Sequence, residues 1–382
     1  MFKTKYSEIL DQIDQVDSVN YGRTRNFIDG DVSRLSPYIS RGVISTKQVM
    51  KRTLDRGFEP EEIKKWLQEL AWRDYWQLIW AEKEDQINSD LRRPQPDVEN
   101  HQMPKVIVEA NTGIKAIDKT IEEFYETGYL HNHVRMYIAA ICCSIGGSHW
   151  KTPARWMYYY LKDGDWASNA LSWQWVAGAN SNKTYVANQN NINKYCYTDQ
   201  TGTFLDVPYE AFDSMEIPDI LRDLTSPNLK TPLPKSHELT INSDNLTLIY
   251  NFYNMDPTWR EGEDANRILL IEPSVFQKYP VSEDSIKFML DLGENIPNLQ
   301  TYVGEFDHLK NEFSLNEDDI YFKEHPLNNY LGNEDSRDWM FSVKGYYQSF
   351  FKLWNKAKKE HLPQKMCPVC GLSFNGRRTG IM

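Results

Sequence analysis

YLKDGDWASNALSWQW, residues 160–175, sets two carboxylates, Asp163 and Asp165, on either side of Gly164 just ahead of a helical run. Asn169 and Trp173 follow four residues apart, so an amide and an indole share one helix face. A further indole, Trp150, stands upstream. An aromatic stripe alone is more often core than binding site, but here carboxylate, amide and indole converge. Nine of the twelve tryptophans fall between Trp66 and Trp175, so the specialised chemistry belongs to the first half of the chain.

Helical patterning extends upstream from this stretch. Residues 61–82, EEIKKWLQELAWRDYWQLIWAE, contain no Gly or Pro and recur every three or four residues through Trp66, Leu70, Arg73 and Trp80, which predicts a helix that also carries Glu69. Further helices are expected over 113–128, over 129–147 with Gly146-Gly147 as its stop, and from about 153 to 161. On the third, Asn132, Arg135 and Met136 lie at i, i+3 and i+4. A buried amide and guanidinium facing one way need a polar ligand or an internal carboxylate. Nearer the start, RTRNFIDGDVSRLSPYISRGVIS (23–45) places Ser33, Arg34 and Ser36 beside Gly30 and ahead of Pro37. Hydroxyls, a cation and free amides at a turn into a helix suit a pyrophosphate. Taken alone, Ser36-Pro37 is also an ordinary helix start.

The second half has another grammar. The Asn-rich residues 179–204 read as an ordered loop, and prolines at 218, 227, 232 and 234 mark 206–240 as a linker. Short β-rich runs at 245–254, 266–276 and 299–306 flank an amphipathic helix opened by Ser282, which predicts parallel strands. The expected fold is therefore mostly α: a helical domain over 1–205, then a small α/β (Rossmann-like) domain over 241–345. Residues 341–362 read as helix, and 346–382 as a C-terminal helix with a CxxC tail. There Cys367 and Cys370, with His361 upstream, offer three of the ligands of a zinc site, but one Cys-x-x-Cys is half a site and a chance pair in a disordered tail is the favoured reading, so no metal is expected.

With 382 residues, two or three domains are expected, and 40% hydrophobic with 25% charged residues is globular. Net charge is −11, which excludes attachment to nucleic acid by bulk charge alone. Residues 1–200 carry only about −1 of it, so nucleic-acid contact suits the first half. No apolar run approaches a membrane span, and no secretory signal is evident. Five cysteines form no disulfide framework, which makes a reducing cytoplasm the expected location. The adjacent Cys142 and Cys143 are expected to pack in a helix interface.

Four pieces, SRLSPYISRG, WLQELAWRDYW, TGIKAIDKTIEEFYETGYLHNHVRM and YLKDGDWASNALSWQW, occur in an order and spacing that resemble the flavin-binding domain of the DNA photolyase and cryptochrome family, over about 20–178. The resemblance implies an all-helical domain around a U-shaped FAD, with a pocket for a damaged nucleotide flipped from DNA. It implies that Tyr21, Ser33, Arg34, Leu35 and Ser36 grip the phosphates and ribityl chain, and that Trp66 and Asn132 line the flavin. Asp163 and Asp165 would bind near its polar edge and the adenosine, with Arg73 also on the cofactor side. Asn169 would face flavin N5 and Arg135 would stabilise an anionic flavin. Trp72 and Trp175 look like the walls of a pyrimidine-dimer pocket, where Glu69 hydrogen-bonds the dimer and Met136 touches it. Arg25, Arg73 and His133 would meet the DNA strand. Asn132 and Met136 stand where the (6-4) class tends to carry histidines, which points to the cyclobutane dimer.

The activity so implied is light-driven repair, by electron transfer from photoexcited reduced FAD to the dimer and back. The alternative is a cryptochrome-like photosensor signalling to a protein partner. Retained Glu69, Trp72, Met136 and Trp175 favour repair. Trp173 and Trp150 match the first two indoles of the family's photoreduction chain. The third would fall near Asp97, where there is no indole, so Tyr137, Tyr158, Tyr159 or Tyr160 is the expected terminal donor. Other departures are Val32 for a usual Thr, His133 for a common Arg, and an α/β unit that follows the helical one instead of preceding it. Residues 267–306 look like a shortened antenna unit, with its chromophore unspecified.

Overall fold

A computed structural model describes residues 2–361. Its hub is the twenty-residue helix Lys64–Lys83, which packs against Ser18–Thr24, Thr46–Asp55, Trp166–Val176 and Phe350–His361. Neighbours on several sides explain why Trp66, Leu67, Leu70, Tyr75, Leu78 and Trp80 are all buried. The other expected helices form at Lys115–Thr127, Asn132–Ala139, Lys151–Tyr160 and Trp166–Val176. Local chemistry sets their ends. Gly128 closes the first at φ 68°, a conformation that costs glycine nothing. The Asp165 carboxylate accepts from Ser168 N–H and caps the last. Asn132–Ala139 runs into a π-helical turn, Ala140–Ile145, in which Cys142 and Cys143 are buried as expected.

Two expectations fail. The Asn-rich stretch contains a helix, Gln189–Cys196, because the Asn188 side chain accepts from Asn191 N–H and Ile192 is buried beneath it. Capping amides had been read as loop composition. The C-terminal helix is shorter than 341–362: it spans Phe350–His361, and Gly345 sits at φ 88° in the irregular residues before it. Cys367 and Cys370, the candidate zinc ligands, lie outside the described residues, as does the His361 side chain.

The second half forms a five-stranded, wholly parallel sheet, in the order Leu299–Val303, Ala265–Ile271, Leu246–Tyr250, Ile320–Lys323, Asn333–Asp335. The three strands read from sequence are the hydrophobic ones. Ile320–Lys323 and Asn333–Asp335 are short, and the latter is polar, so they carried little signal. Ser282 caps Glu283–Gly293 as expected, its hydroxyl accepting from Ser285 N–H. Pleating divides the strands between two cores. Leu248, Tyr250, Leu269 and Ile271 join the core shared with the helices; Ile249, Ile268 and Leu270 join one under Phe306–Glu312. Residues 206–240 bridge the halves with short turns, and Leu224–Thr225 pairs antiparallel with Met103–Pro104. Among the described residues no helix is long and apolar enough to cross a membrane.

Arg41 ties the two halves. Fully buried, it lies 3.4 Å from the centroid of the Phe252 ring beyond the first sheet strand, and it donates to the Gly164 carbonyl in the helical half.

Candidate functional site

A cavity of about 910 Å³ opens beside the hub helix. Tyr21, Arg25, Ser33, Arg34, Ser36, Trp66, Glu69, Trp72 and Arg73 line it from the first quarter of the chain. Asn132, His133, Arg135, Met136, Asp163, Asp165, Asn169, Trp173 and Trp175 line it from the next. Its size suits a cofactor together with a further ligand.

Two residues named from sequence stand apart from the lining. Leu35 is buried in the apolar core, so at most its backbone serves a phosphate turn. Trp150 is fully buried behind the cavity; its indole N–H donates to Asp90 at 2.7 Å, and its ring neighbours are His149 and Trp166. Beyond Trp166 the rings continue to Tyr158 at 5.4 Å and Tyr279 at 5.5 Å. Of the tyrosines considered as terminal donors, Tyr158 is in direct ring contact with Trp166, whereas Tyr137 is engaged with His133 and donates to Asn191.

The Asp163-Gly164-Asp165 turn is held from several sides. Ser40 donates to the Asp163 carbonyl at 2.8 Å, and Gln77 donates to the Asp165 carboxylate. Gly164 is required, since an added Cβ would stand 2.9 Å from the Leu161 carbonyl oxygen and 3.0 Å from that of Tyr158. Arg135 places one Nη 3.0 Å from both oxygens of Asp163 and donates through Nε to Leu130 C=O at 2.8 Å. The guanidinium thus has its carboxylate partner within the protein, one of the two outcomes the sequence left open. Burial opposes the Asp163 charge, yet Arg135, Arg73 and the Ser36 hydroxyl together hold its carboxyl below the ordinary range. Arg73 donates to Ser40 Oγ and sits toward this cluster.

Asn169 donates through Nδ2 to the Ala154 carbonyl at 2.8 Å, which leaves the amide oxygen as its free acceptor. Tyr21 meets Trp66 edge-on at 4.9 Å. Asn132 opens its helix, exposed into the cavity, behind the capping residue His131. Burial holds the His131 and His133 imidazoles down to about 4, so both are neutral at physiological pH. Glu69 is flanked by Lys65 at 2.8 Å and Arg25 at 3.4 Å. Trp175, at 42% exposure, marks the rim. Sequence reading missed Ser40, Arg41 and Gln77, which orient the acidic turn, and Phe350, which stacks on Trp72 at 4.0 Å. Ser40 and Arg41 stand inside the quoted SPYISRG motif, so only their role escaped notice.

The lining fits a flavin dinucleotide. Arg73 Nε, Ser168 Oγ and Asn180 Oδ1 are buried on lining residues without a partner, so the cavity presents donors and an acceptor that a phosphate-bearing, polyhydroxylated ligand satisfies.

Residues 66–209 match the model of the FAD binding domain of DNA photolyase; Ser33, Arg34 and Ser36 precede that span. The deoxyribodipyrimidine photo-lyase of Streptomyces griseus is 32% identical over 150 residues, covering 38% of this chain and 32% of that protein. That of Vibrio cholerae is 29% identical over 171 residues, 41% of this chain and 35% of its own. A solved cryptochrome of Synechocystis overlays 51% of this chain and 44% of its own at 20% identity, with a TM-score of 0.43. The chain spans about a third of the length of the curated relatives it matches. Residues 66–209 are thus similar to the FAD binding domain of DNA photolyase.

Proposed function

We propose that the protein repairs cyclobutane pyrimidine dimers in DNA with blue light. One observation carries the reading: a single cavity is lined both by the polar set suited to FAD (Arg73, Asp163, Asp165, Asn169) and by Glu69, Trp72, Met136 and Trp175, which serve no purpose in flavin binding alone. Held by Arg73, Asp163, Asp165 and Asn169, reduced FAD would supply light-driven one-electron chemistry to the dimer. The chain's own part is orientation and charge. Ser33, Arg34 and Ser36 would hold the phosphates, and the Arg135–Asp163 pair would set the charge around the cofactor. The free oxygen of Asn169 would accept a hydrogen bond from the flavin. Glu69, kept near Lys65 and Arg25, offers an acceptor to a thymine N–H. Trp173, on the cavity lining, is the candidate first donor for photoreduction, and Trp150 the second, in ring contact with Trp166 and through it with Tyr158. In the same reading, residues 1–205 are the flavin domain, 206–240 the linker and 241–345 a reduced antenna-like unit.

The deciding experiment illuminates the reduced protein with a dimer-containing oligonucleotide and counts remaining dimers. Loss of dimers supports repair. A flavin that photoreduces while every dimer persists favours the second reading, a photosensor acting on a protein partner. Phe350 seated on Trp72 is the observation on that side.

A further inference from the structure

Trp72, the proposed wall for a dimer, is not bare. The ring of Phe350 lies on it with centroids 4.0 Å apart and planes 10° from parallel, the closest ring pair joining the C-terminal helix to the cavity. A benzene ring and a pyrimidine ring have the same size and stacking distance, so Phe350 holds the indole face as an unpaired base would. The seat is specific. Tyr75 donates to the Tyr347 carbonyl at 3.1 Å, and Arg92, itself a cavity residue, donates to that of Gln348. Phe350 is buried, whereas Phe351 beside it is 59% exposed and also lines the cavity.

Phe350 is the first residue of its helix, and residues 341–349 before it have no regular secondary structure. The rest of the helix is anchored independently by buried Leu353, Trp354 and Ala357 and by the Lys358–Glu61 pair. Baring Trp72 therefore requires the first turn to move and the two carbonyl contacts before it to open, while Leu353, Trp354 and Ala357 keep the rest of the helix docked.

We propose that Phe350 is a gate on the Trp72 face: a nucleotide reaches Trp72 only by exchanging with it. The gate rests on the repair reading above. Its effect on affinity follows from competition. A stacked pair of this kind amounts to roughly a two- to ten-fold factor in an equilibrium, comparable with what a base gains on an aromatic face. Every nucleotide pays this factor alike, so the gate lowers affinity for the face without changing the preference for a dimer.

The test measures, in the dark, binding of a labelled single strand carrying one thymine dimer to the flavin-loaded wild type, Phe350→Ala and Phe350→Leu. Leucine keeps apolar volume and loses the flat face, so it guards against a misfolded alanine variant; retained flavin absorbance reports the fold of each. Affinity should rise about five- to ten-fold in Phe350→Ala and by a smaller factor in Phe350→Leu. Equal affinity in all three overturns the gate and leaves repair standing. Weaker binding by the variants also overturns it, since Phe350 would then be a wall that holds the base. Binding by none of the three defeats the nucleotide reading itself, and the gate with it.

Discussion

Replacing Arg135 with methionine tests the electrostatic centre of the cavity. The Asp163 side chain is 4% exposed and meets the guanidinium at 3.0 Å through both oxygens. Breaking a buried pair from one side costs about 3–5 kcal/mol, because the surviving charge is stranded. Arg73 and Ser36 remain near Asp163, so the lower end, about 3 kcal/mol, is expected at pH 7.5. In the wild type the folded carboxyl titrates below its ordinary value of 3.8, so its stabilisation is present above that pH and is lost as pH falls through the folded value. In Arg135→Met burial prevails and the carboxyl moves up, so the variant loses stability as pH rises through the ordinary carboxylate range. The two stability curves should diverge between pH 4 and pH 7.5. Toward pH 4 the deficit should shrink, because the variant's carboxyl is then protonated, and below the wild type's folded value it should reach about 1 kcal/mol, the worth of the lost bond to Leu130. Urea unfolding followed by tryptophan fluorescence, at both pH values, measures this. A deficit that is the same at pH 4 and pH 7.5 would refute an ionised Asp163 paired with Arg135.

Trp173→Phe should slow photoreduction of bound flavin at least ten-fold in stopped-illumination absorbance, while Trp156→Phe, in the core away from the cavity, leaves it unchanged. Gly164→Ala should release flavin on dilution, because its methyl meets two carbonyl oxygens at about 3 Å and the acidic turn must shift; flavin retained at wild-type affinity would count against that turn as a cofactor contact. For His133, a folded value near 4 against an ordinary 6.5 means the unfolded chain binds the proton first, so stability falls as pH drops from 6.5 toward 4. Melting temperature in His133→Gln should fall less steeply over that window than in the wild type; identical slopes would place the imidazole in solvent.

The legible parts share one property: their signals are local. The hub helix follows from a run without Gly or Pro, the stop at Gly128 from a backbone only glycine adopts freely, and the start at Glu283 from the Ser282 hydroxyl. Where local signals mislead, the structure departs. Asn188 looks like loop yet caps a helix over buried Ile192, and the polar strand Asn333–Asp335 forms only because Ile320–Lys323 offers it an edge. Among site residues, the paired acids, Asn169 and the helix face of Asn132, Arg135 and Met136 were readable because their spacing is short.

By itself the sequence determined the hub helix, the helices at Lys115–Thr127, Lys151–Tyr160 and Trp166–Val176, and the three hydrophobic strands, since these depend on neighbours within a few residues. Tertiary structure alone decided partners: that Arg135 meets Asp163, that Arg41 spans from Phe252 to the Gly164 carbonyl, that Leu35 and Trp150 turn away from the cavity, and that Phe350, 278 positions beyond Trp72, lies on its face. Contacts between residues so distant in the chain are set by how whole elements pack, and no local pattern encodes them.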